Sequence, residues 1–182
     1  MPSRSGVRED FLMTSQDPSE FLNYFAKIRQ RTEAVVRCIP PEHIEWSLSE
    51  GKFSFGDIVR HLASIERFMY AENACRRPSR YPGHGRELAD GYDAVIEYFD
   101  KLHCESTEIL AELTAEDFNS LCKTPAGVEI RVWKWLRAMI EHEVHHRGQL
   151  YVYLGALGVR TPPIFGLTSE QVRDVSVAES PS

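Results

Sequence analysis

Apolar residues recur at intervals of three and four through four long segments of the chain, which is the spacing of one helix face. Prolines and capping residues bound these segments. Asp17-Pro18-Ser19-Glu20 predicts the start of the first helix, and Ile39-Pro40-Pro41 ends it near Cys38. There is almost no strand signal, so the chain is predicted to be all-α, with its four long helices packed as a four-helix bundle.

The second and third helices are marked in the same way. Ser54 and Asp57 have the spacing of a capping box, which predicts a helix that runs to about Cys75. The segment Arg76–Glu87 is basic and rich in proline and glycine, and is predicted to be a loop. A third helix is predicted over roughly Gly91–Leu113.

The last long helix is predicted from about Val132 to Leu157, because Gly158 suits the left-handed conformation that ends a helix. Before it, Pro125-Ala126-Gly127 stands between two short mixed runs, which predicts a small hairpin near residues 119–131. Thr168, three residues before a glutamine, predicts a short C-terminal helix.

No composition break or repeat divides the chain, so one domain over residues 17–172 is expected between tails of residues 1–16 and 173–182. The net charge of −6 arises from 27 acidic and 21 basic residues without a basic block, which argues against nucleic-acid binding. No apolar run reaches the roughly 18–20 residues of a membrane span, and the first residues lack a secretory signal. We therefore expect a cytoplasmic protein that acts on small molecules, away from membranes.

The histidines carry most of the functional information. His142 and His146 are four residues apart on the last helix, so their rings share one face, with Cβ atoms about 5–6 Å apart. On an inward face, each ring needs a hydrogen-bond partner or a metal ion, because an unsatisfied buried polar group costs about 1–3 kcal/mol. The other histidines, His43, His84 and His103, are expected to have ordinary packing or solvated roles.

His61 is the third candidate ligand, because it shares the apolar stripe of the second helix, opposite the predicted polar face that holds Arg60 and Arg67. Three neutral imidazoles from two facing helices are the ligand set of an open zinc-type site. Zinc and nickel are the expected ions, with iron, copper and manganese as alternatives. The competing interpretation is that each ring is an ordinary core histidine held by hydrogen bonds.

The string His142-Glu143-Val144-His145-His146 also matches the zinc peptidase motif H-E-x-x-H, in which the glutamate is the general base. Glu170 is the only obvious third ligand for such a peptidase, and no substrate-binding sheet is predicted. A peptidase is therefore the least favoured alternative, and Glu143 is expected to be a partly exposed helix residue. His145 turns away from His142 and fits a position beside the ligands better than one among them.

Three segments carry a family resemblance: GKFSFGDIVRHLASIERF, WKWLRAMIEHEVHHRGQLYVYLGALG and PPIFGLTSEQV. They resemble the DinB-like or YfiT-like superfamily of metal-binding helical bundles, over roughly Asp17 to Val172. The resemblance implies that the metal triad falls on His61, His142 and His146. It also implies a homodimer and, where an activity is assigned, thiol-dependent S-transfer or isomerisation with a low-molecular-weight thiol such as bacillithiol or mycothiol.

Chemistry of this kind would need groups around the three ligands. Glu143, His145 and Gln149 are candidates for orienting an imidazole or a bound water. Three aromatic residues could line an apolar pocket, although core packing also explains them; they are Trp135, Tyr153 and Phe68. Four loop arginines could bind the carboxylates of a thiol cofactor, although a solvated loop also explains them; they are Arg76, Arg77, Arg80 and Arg86. The open alternatives are a metal-dependent thiol transferase, a bundle in which the metal is structural, and the peptidase.

Overall fold

The computed structural model describes residues 17–176 and confirms the all-α fold. The helical elements are α1 (Pro18–Val36), a 3₁₀ turn (Pro41–His43), α2 (Phe55–Ile65), a π-helical turn (Glu66–Tyr70), α3 (Ala71–Ala74), α4 (Tyr92–Ala111), α5 (Ala115–Asn119), α6 (Val132–Ala156) and α7 (Ser169–Val175). The predicted N-terminal tail, and the last six residues of the predicted C-terminal tail, lie outside the described residues.

The caps that the sequence predicts are present. Asp17 accepts a hydrogen bond from the backbone N–H of Ser19, and Ser54 and Asp57 form the capping box that starts α2. Gly158 has φ of +70° directly after the last turn of α6, a conformation that glycine adopts without strain. The long helices therefore begin and end within about two residues of the predicted positions.

The predicted hairpin is confirmed as two antiparallel strands, β1 (Leu121–Lys123) and β2 (Glu129–Arg131), with Cys122 opposite Ile130. The second long helix, by contrast, is not a uniform α-helix as predicted. It continues from α2 into α3 through the π-helical turn, whose wider ring rotates the following residues on the helix surface. The short helix α5 and the 3₁₀ turn were not predicted from the apolar spacing.

Four helical segments surround the interior of the bundle. The segment α2–α3 packs against α4 and α6, and α1 packs against the same two helices, so α1 and α2 lie on a diagonal. Two apolar clusters fill the interior, one around Phe55, Phe99 and Leu154 and the other around Phe25 and Leu136. None of the helices in residues 17–176 has the length and apolar character of a membrane span.

Arg60 corrects the prediction that the second helix has a polar face at this position. Its side chain is fully buried and donates hydrogen bonds to Glu45, Asp57 and the backbone carbonyls of His84 and Ala89. These bonds tie the long loop before α4 to α2. A Cβ atom on Gly56 would lie 2.9 Å from both the Arg60 guanidinium and the Glu45 carboxylate, so glycine leaves room for this network.

Candidate metal centre

The three predicted ligands converge. The Nε2 atom of His142 lies 3.1 Å from Nε2 of His61 and 3.1 Å from Nε2 of His146, which places α2 and α6 on either side of one small space. His61, His142 and His146 are the group of possible metal ligands in residues 17–176, with ligand atoms within 4.8 Å of one another. His146 is buried, but His61 and His142 are half-buried, so the cluster lies nearer the surface of the bundle than the predicted core position.

The Nδ1 atoms of two of these rings, His146 and His61, have hydrogen-bond partners outside the trio. His146 Nδ1 lies 2.7 Å from Gln149 Oε1, which only accepts, so His146 donates from Nδ1 and keeps a lone pair on Nε2. His61 Nδ1 lies 2.7 Å from the Tyr81 hydroxyl. Partners of this kind fix the tautomer and the orientation of a metal-binding imidazole.

All three rings are uncharged at neutral pH. Burial lowers the pKa of His61 to about 3, with further lowering from His146 and His142. Burial likewise lowers the pKa of His142 to about 4, assisted by His146. The pKa of His146 is lowered by burial too, although the hydrogen bond to Gln149 acts in the opposite direction. Neutral imidazoles are the form that binds a metal ion.

These residues fit a divalent ion. In a tetrahedral zinc site with Zn–N distances of about 2.0–2.1 Å, neighbouring nitrogen ligands are about 3.3 Å apart. The two separations of 3.1 Å to His142 are close to that value. Three imidazoles leave at least one coordination position for another ligand, which is the ligand count of open zinc sites.

Of the three residues predicted to lie around the metal ligands, only some contact them. Gln149 contacts His146 as described, and His145 is exposed with its ring centroid 5.0 Å from that of His146. Glu143, predicted to be partly exposed, is instead 3% exposed, and its carboxylate lies 3.1 Å from the guanidinium of Arg29 in the bundle interior. Because the Glu143 carboxylate is ion-paired with Arg29, it is poorly placed to activate water at the histidines.

Two residues of the loop before α4, Tyr81 and His84, lie at the site, although neither was predicted to contact it. The Tyr81 hydroxyl bridges His61 and His84, at 2.7 Å and 3.3 Å, and the His84 ring packs 4.2 Å from that of Phe53. The prediction that His84 has an ordinary solvated role misses this contact. Loop residues have no helical spacing that would signal it, and the buried Arg60 is what holds the loop here.

The aromatic residues predicted for a pocket pack elsewhere. Tyr153 is buried against Trp46 and Phe55, whereas Trp135 packs at a tilt against Tyr70, with ring centroids 4.6 Å apart. Phe68 lies under the guanidinium of Arg67. Two surface cavities, of about 310 Å³ and 780 Å³, are lined by none of the three predicted pocket residues and by none of the three histidines.

The loop arginines are already paired with carboxylates of the chain. Arg77 and Arg80 contact Glu72, Arg76 contacts Asp117, and Arg86 contacts Asp90. Glu72 is 1% exposed, and hydrogen bonds from Arg67 and Arg77 keep its pKa low against the opposing effect of burial. These pairs favour a structural role for the loop arginines over binding of an external anion.

Glu170, the third ligand that a peptidase would need, is exposed on the short helix α7 and is not in the group of possible ligands. Instead, His61 is in that group. The strands that the structure describes form the hairpin before α6. This arrangement disfavours the peptidase interpretation.

Fold and site together define a class: a helical bundle in which one histidine of the second helical segment meets two histidines of the last long helix. The chain belongs to the DinB superfamily, whose family model matches residues 24–150. The Bacillus subtilis protein YjoA, described as uncharacterized, is 24% identical over 150 residues, which cover 81% of this chain and 95% of YjoA.

Solved structures have the same fold. A DinB-like protein from Bacillus cereus is similar with a TM-score of 0.69 and 18% identity, over 81% of this chain and 97% of that one. The crystal structure of YjoA from Bacillus subtilis is similar with a TM-score of 0.63 and 19% identity, over 80% and 96% of the two chains. Both similarities concern the helical fold.

Proposed function

We propose that this DinB-superfamily protein binds one divalent metal ion through His61, His142 and His146, and uses it in thiol-dependent transfer on a small molecule. The observation that carries the proposal is the convergence of three uncharged imidazoles, with Nε2 atoms 3.1 Å apart at His142. Zinc or nickel suits this nitrogen-only ligand set.

The residues of the chain have separate roles in this proposal. The three imidazoles hold the ion, and Gln149 and Tyr81 keep two of the rings oriented through their Nδ1 atoms. When bound, the ion supplies a Lewis acid that lowers the pKa of a thiol. Tyr81 is partly exposed beside His61, so its loop borders the approach to the cluster.

The proposed reaction joins a thiol to an electrophilic carbon. A new S–C bond forms, the bond from that carbon to its leaving group breaks, and the leaving group departs with the electron pair while the thiol proton goes to solvent. The resemblance to thiol-dependent members of the superfamily supports this substrate class and a homodimeric assembly; a low-molecular-weight thiol such as bacillithiol is the proposed second substrate.

Metal binding is tested by calorimetric titration of the purified chain with zinc and with nickel. We expect one ion per chain, and at least a hundredfold weaker binding after His61→Ala or His142→Ala. His145→Ala is the matched control, because His145 lies in the same string but is exposed outside the trio. Equal affinity in the wild type and His61→Ala would contradict the proposed ligand set.

Transfer is tested separately with zinc-loaded protein, bacillithiol and the thiol-reactive dye monochlorobimane. Formation of the fluorescent thioether above the uncatalysed rate, and its loss in His142→Ala, is the expected result. A zinc-loaded wild type that leaves the uncatalysed rate unchanged, with each of several thiols, would contradict the transferase assignment while leaving metal binding intact.

A structural metal is the second candidate function. One observation favours it: the two surface cavities described above are lined by none of the three histidines, so neither forms a substrate chamber around the cluster. In that case the ion would tie α2 to α6 without turnover. Tight zinc binding with a large gain in thermal stability and no thioether formation would favour this function over transfer.

A further inference from the structure

A layer of polar side chains crosses the middle of the bundle between its two apolar clusters. It consists of Arg29 from α1, Glu66 from the π-helical turn after α2, His103 from α4 and Glu143 from α6. Residues of the cluster around Phe55 lie on one side of these positions along each helical segment, and residues of the cluster around Leu136 lie on the other. Each of the four long segments thus contributes one member of this polar layer.

The four side chains are bonded to one another. The Nη2 atom of Arg29 contacts Glu66 Oε2 and also lies 3.1 Å from Glu143 Oε2, so one guanidinium nitrogen bridges two carboxylates. His103 donates from Nδ1 to Glu66 Oε1 at 2.9 Å. The guanidinium carbon of Arg29 lies 4.3 Å from the ring centroid of Phe99, an attractive cation–π contact.

The polar layer is deeply buried. Arg29 and Glu66 are each 2% exposed, and Arg147, which is also buried, donates to the backbone carbonyl of Ile28 next to Arg29. Burial, with a further contribution from Arg29, lowers the pKa of His103 to about 4. Arg29 is thus the cation that contacts both glutamates, and Arg147 adds a second buried positive charge nearby. Without Arg29, either carboxylate would be left buried and uncompensated, which is strongly destabilising.

The two carboxylates sit beside the histidine cluster. Glu143 directly follows His142 on α6, and Glu66 begins the π-helical turn five residues after His61. Arg29 therefore links the two helical segments that carry the three histidines, at a point within about one and a half helical turns of each. Glu66 and Tyr70, the first and last residues of the π-helical turn, are both buried.

We infer that Arg29 is a positioning residue for the histidine cluster: its bridge between Glu66 and Glu143 fixes the axial register of α6 against α2, and hence the convergence of the three Nε2 atoms. The inference rests on the proposed metal site. Apolar burial is non-directional, so a shifted helix can still bury apolar area, whereas an ion pair is lost as soon as its partners separate. A slip of one turn, about 5.4 Å, would leave the Glu143 charge buried without its arginine, so the polar layer penalises any other register.

Glu143→Met is the first test, with Glu141→Met as its matched control. Both substitutions remove a carboxylate next to His142, but Glu141 is exposed and pairs with Arg137 at the surface. We expect Glu143→Met to weaken zinc binding at least tenfold and to alter the visible spectrum of the cobalt-loaded protein, with Glu141→Met close to the wild type. Equal zinc affinity and equal cobalt spectra in the two variants would overturn the inference.

A triple variant distinguishes an effect on the register of α6 against α2 from an effect on folding stability. Replacing Arg29, Glu66 and Glu143 together by methionine removes the bridging guanidinium with both of its carboxylates, and replacing a whole buried ion network by apolar residues is often neutral or stabilising. We expect the unfolding midpoint to recover above that of Glu143→Met while zinc affinity stays at least tenfold below the wild type. Recovery of both the unfolding midpoint and the zinc affinity would show a merely structural role and overturn the inference.

Glu143→Gln serves as the test if either methionine variant fails to fold, because it keeps an acceptor for Arg29. We expect this variant to bind zinc with an affinity between those of the wild type and a variant without the acceptor. Wild-type zinc affinity in Glu143→Gln would overturn the inference.

A measurement without metal distinguishes failure of this inference from failure of the proposed function. If the wild type binds no zinc, the proposed function is wrong, and the register is then read from crystal structures of the metal-free wild type and the triple variant. We expect the distance between Nε2 of His61 and of His142 to be longer in the variant than the 3.1 Å of the wild type. An unchanged distance would overturn the role of Arg29 whatever the metal result.

Discussion

The Nε2 atoms of His61 and His142 lie 3.1 Å apart although the two residues are separated by 81 positions in the chain. The contact depends on the packing of α2 against α6, since no local spacing creates it. His142 makes the same contact with His146 one turn away. Three ring nitrogens that meet without an acidic partner among them repel one another unless a proton or a cation lies between them, and this is the basis of the proposed metal site.

The metal-free protein should lose stability as the pH falls from about 6.5 to about 4. The folded-state pKa is about 3 for His61 and about 4 for His142, against an ordinary value of 6.5. Between these values the unfolded chain binds protons that the folded chain does not, so protonation favours unfolding. Urea denaturation at pH 7.5, 6.5, 5.5 and 4.5 measures the trend.

Urea denaturation of His142→Gln at the same four pH values supplies the comparison, because this variant lacks one of the histidines whose pKa is lowered. A shallower decline is expected in that variant, with the remaining slope carried by the other histidines, including His103. Stability that stays level in the wild type between pH 6.5 and 4.5 would show that these rings are not held uncharged by the fold.

Tyr81→Phe should weaken zinc binding about tenfold, because it removes the hydroxyl that lies 2.7 Å from His61 Nδ1 and leaves that ring free to reorient. The fold should be preserved, since Tyr81 is 37% exposed. Tyr24→Phe is the control, as Tyr24 is similarly exposed on α1. Competition titrations against a fluorescent zinc chelator give the affinities; identical values for both variants would leave the loop hydroxyl without a role.

Arg60→Met should destabilise the protein by about 3 kcal/mol, because its fully buried guanidinium holds Glu45, Asp57 and two loop carbonyls. The control is Arg37→Met, whose ion pair with Asp100 is exposed on both sides and contributes about 0–1 kcal/mol. Chemical denaturation of both variants checks the difference, and a loss below about 1 kcal/mol for Arg60→Met would contradict the anchoring role.

Saturating zinc should raise the thermal unfolding midpoint. At a free concentration one hundred times the Kd, binding adds about 2.7 kcal/mol, which corresponds to about 5–10 °C for a chain of this size. His61→Ala should show no such rise, whereas His43→Ala, on the 3₁₀ turn, should match the wild type. A similar rise in all three proteins, measured by calorimetry, would place the ion elsewhere.

Much of the fold was predictable because it depends on local signals. Asp17, Ser54 and Gly158 mark helix ends through bonds and conformations within a few residues. The pair His142 and His146 is equally local, since positions four apart on a helix face the same way. His61 could be added because the apolar stripe of α2 indicates which side of that helix is buried.

The features that could not be predicted depend on partners that are distant in the chain. Arg60 and Glu143 were expected to lie at or near the surface because charged residues are rarely buried, and only their pairing with Glu45 and Arg29 reverses that expectation. The π-helical turn has no signature in the apolar spacing. Tyr81 lies on a loop, where no periodicity shows what a side chain faces.

The most direct test of the central proposal is X-ray absorption at the zinc edge of protein loaded with one equivalent of zinc. We predict three imidazole nitrogens at about 2.0–2.1 Å, with the multiple-scattering pattern of histidine rings, plus at least one further light ligand. His61→Ala should reduce the imidazole count. A spectrum dominated by oxygen ligands without the imidazole pattern, or zinc that does not remain bound, would contradict the proposal.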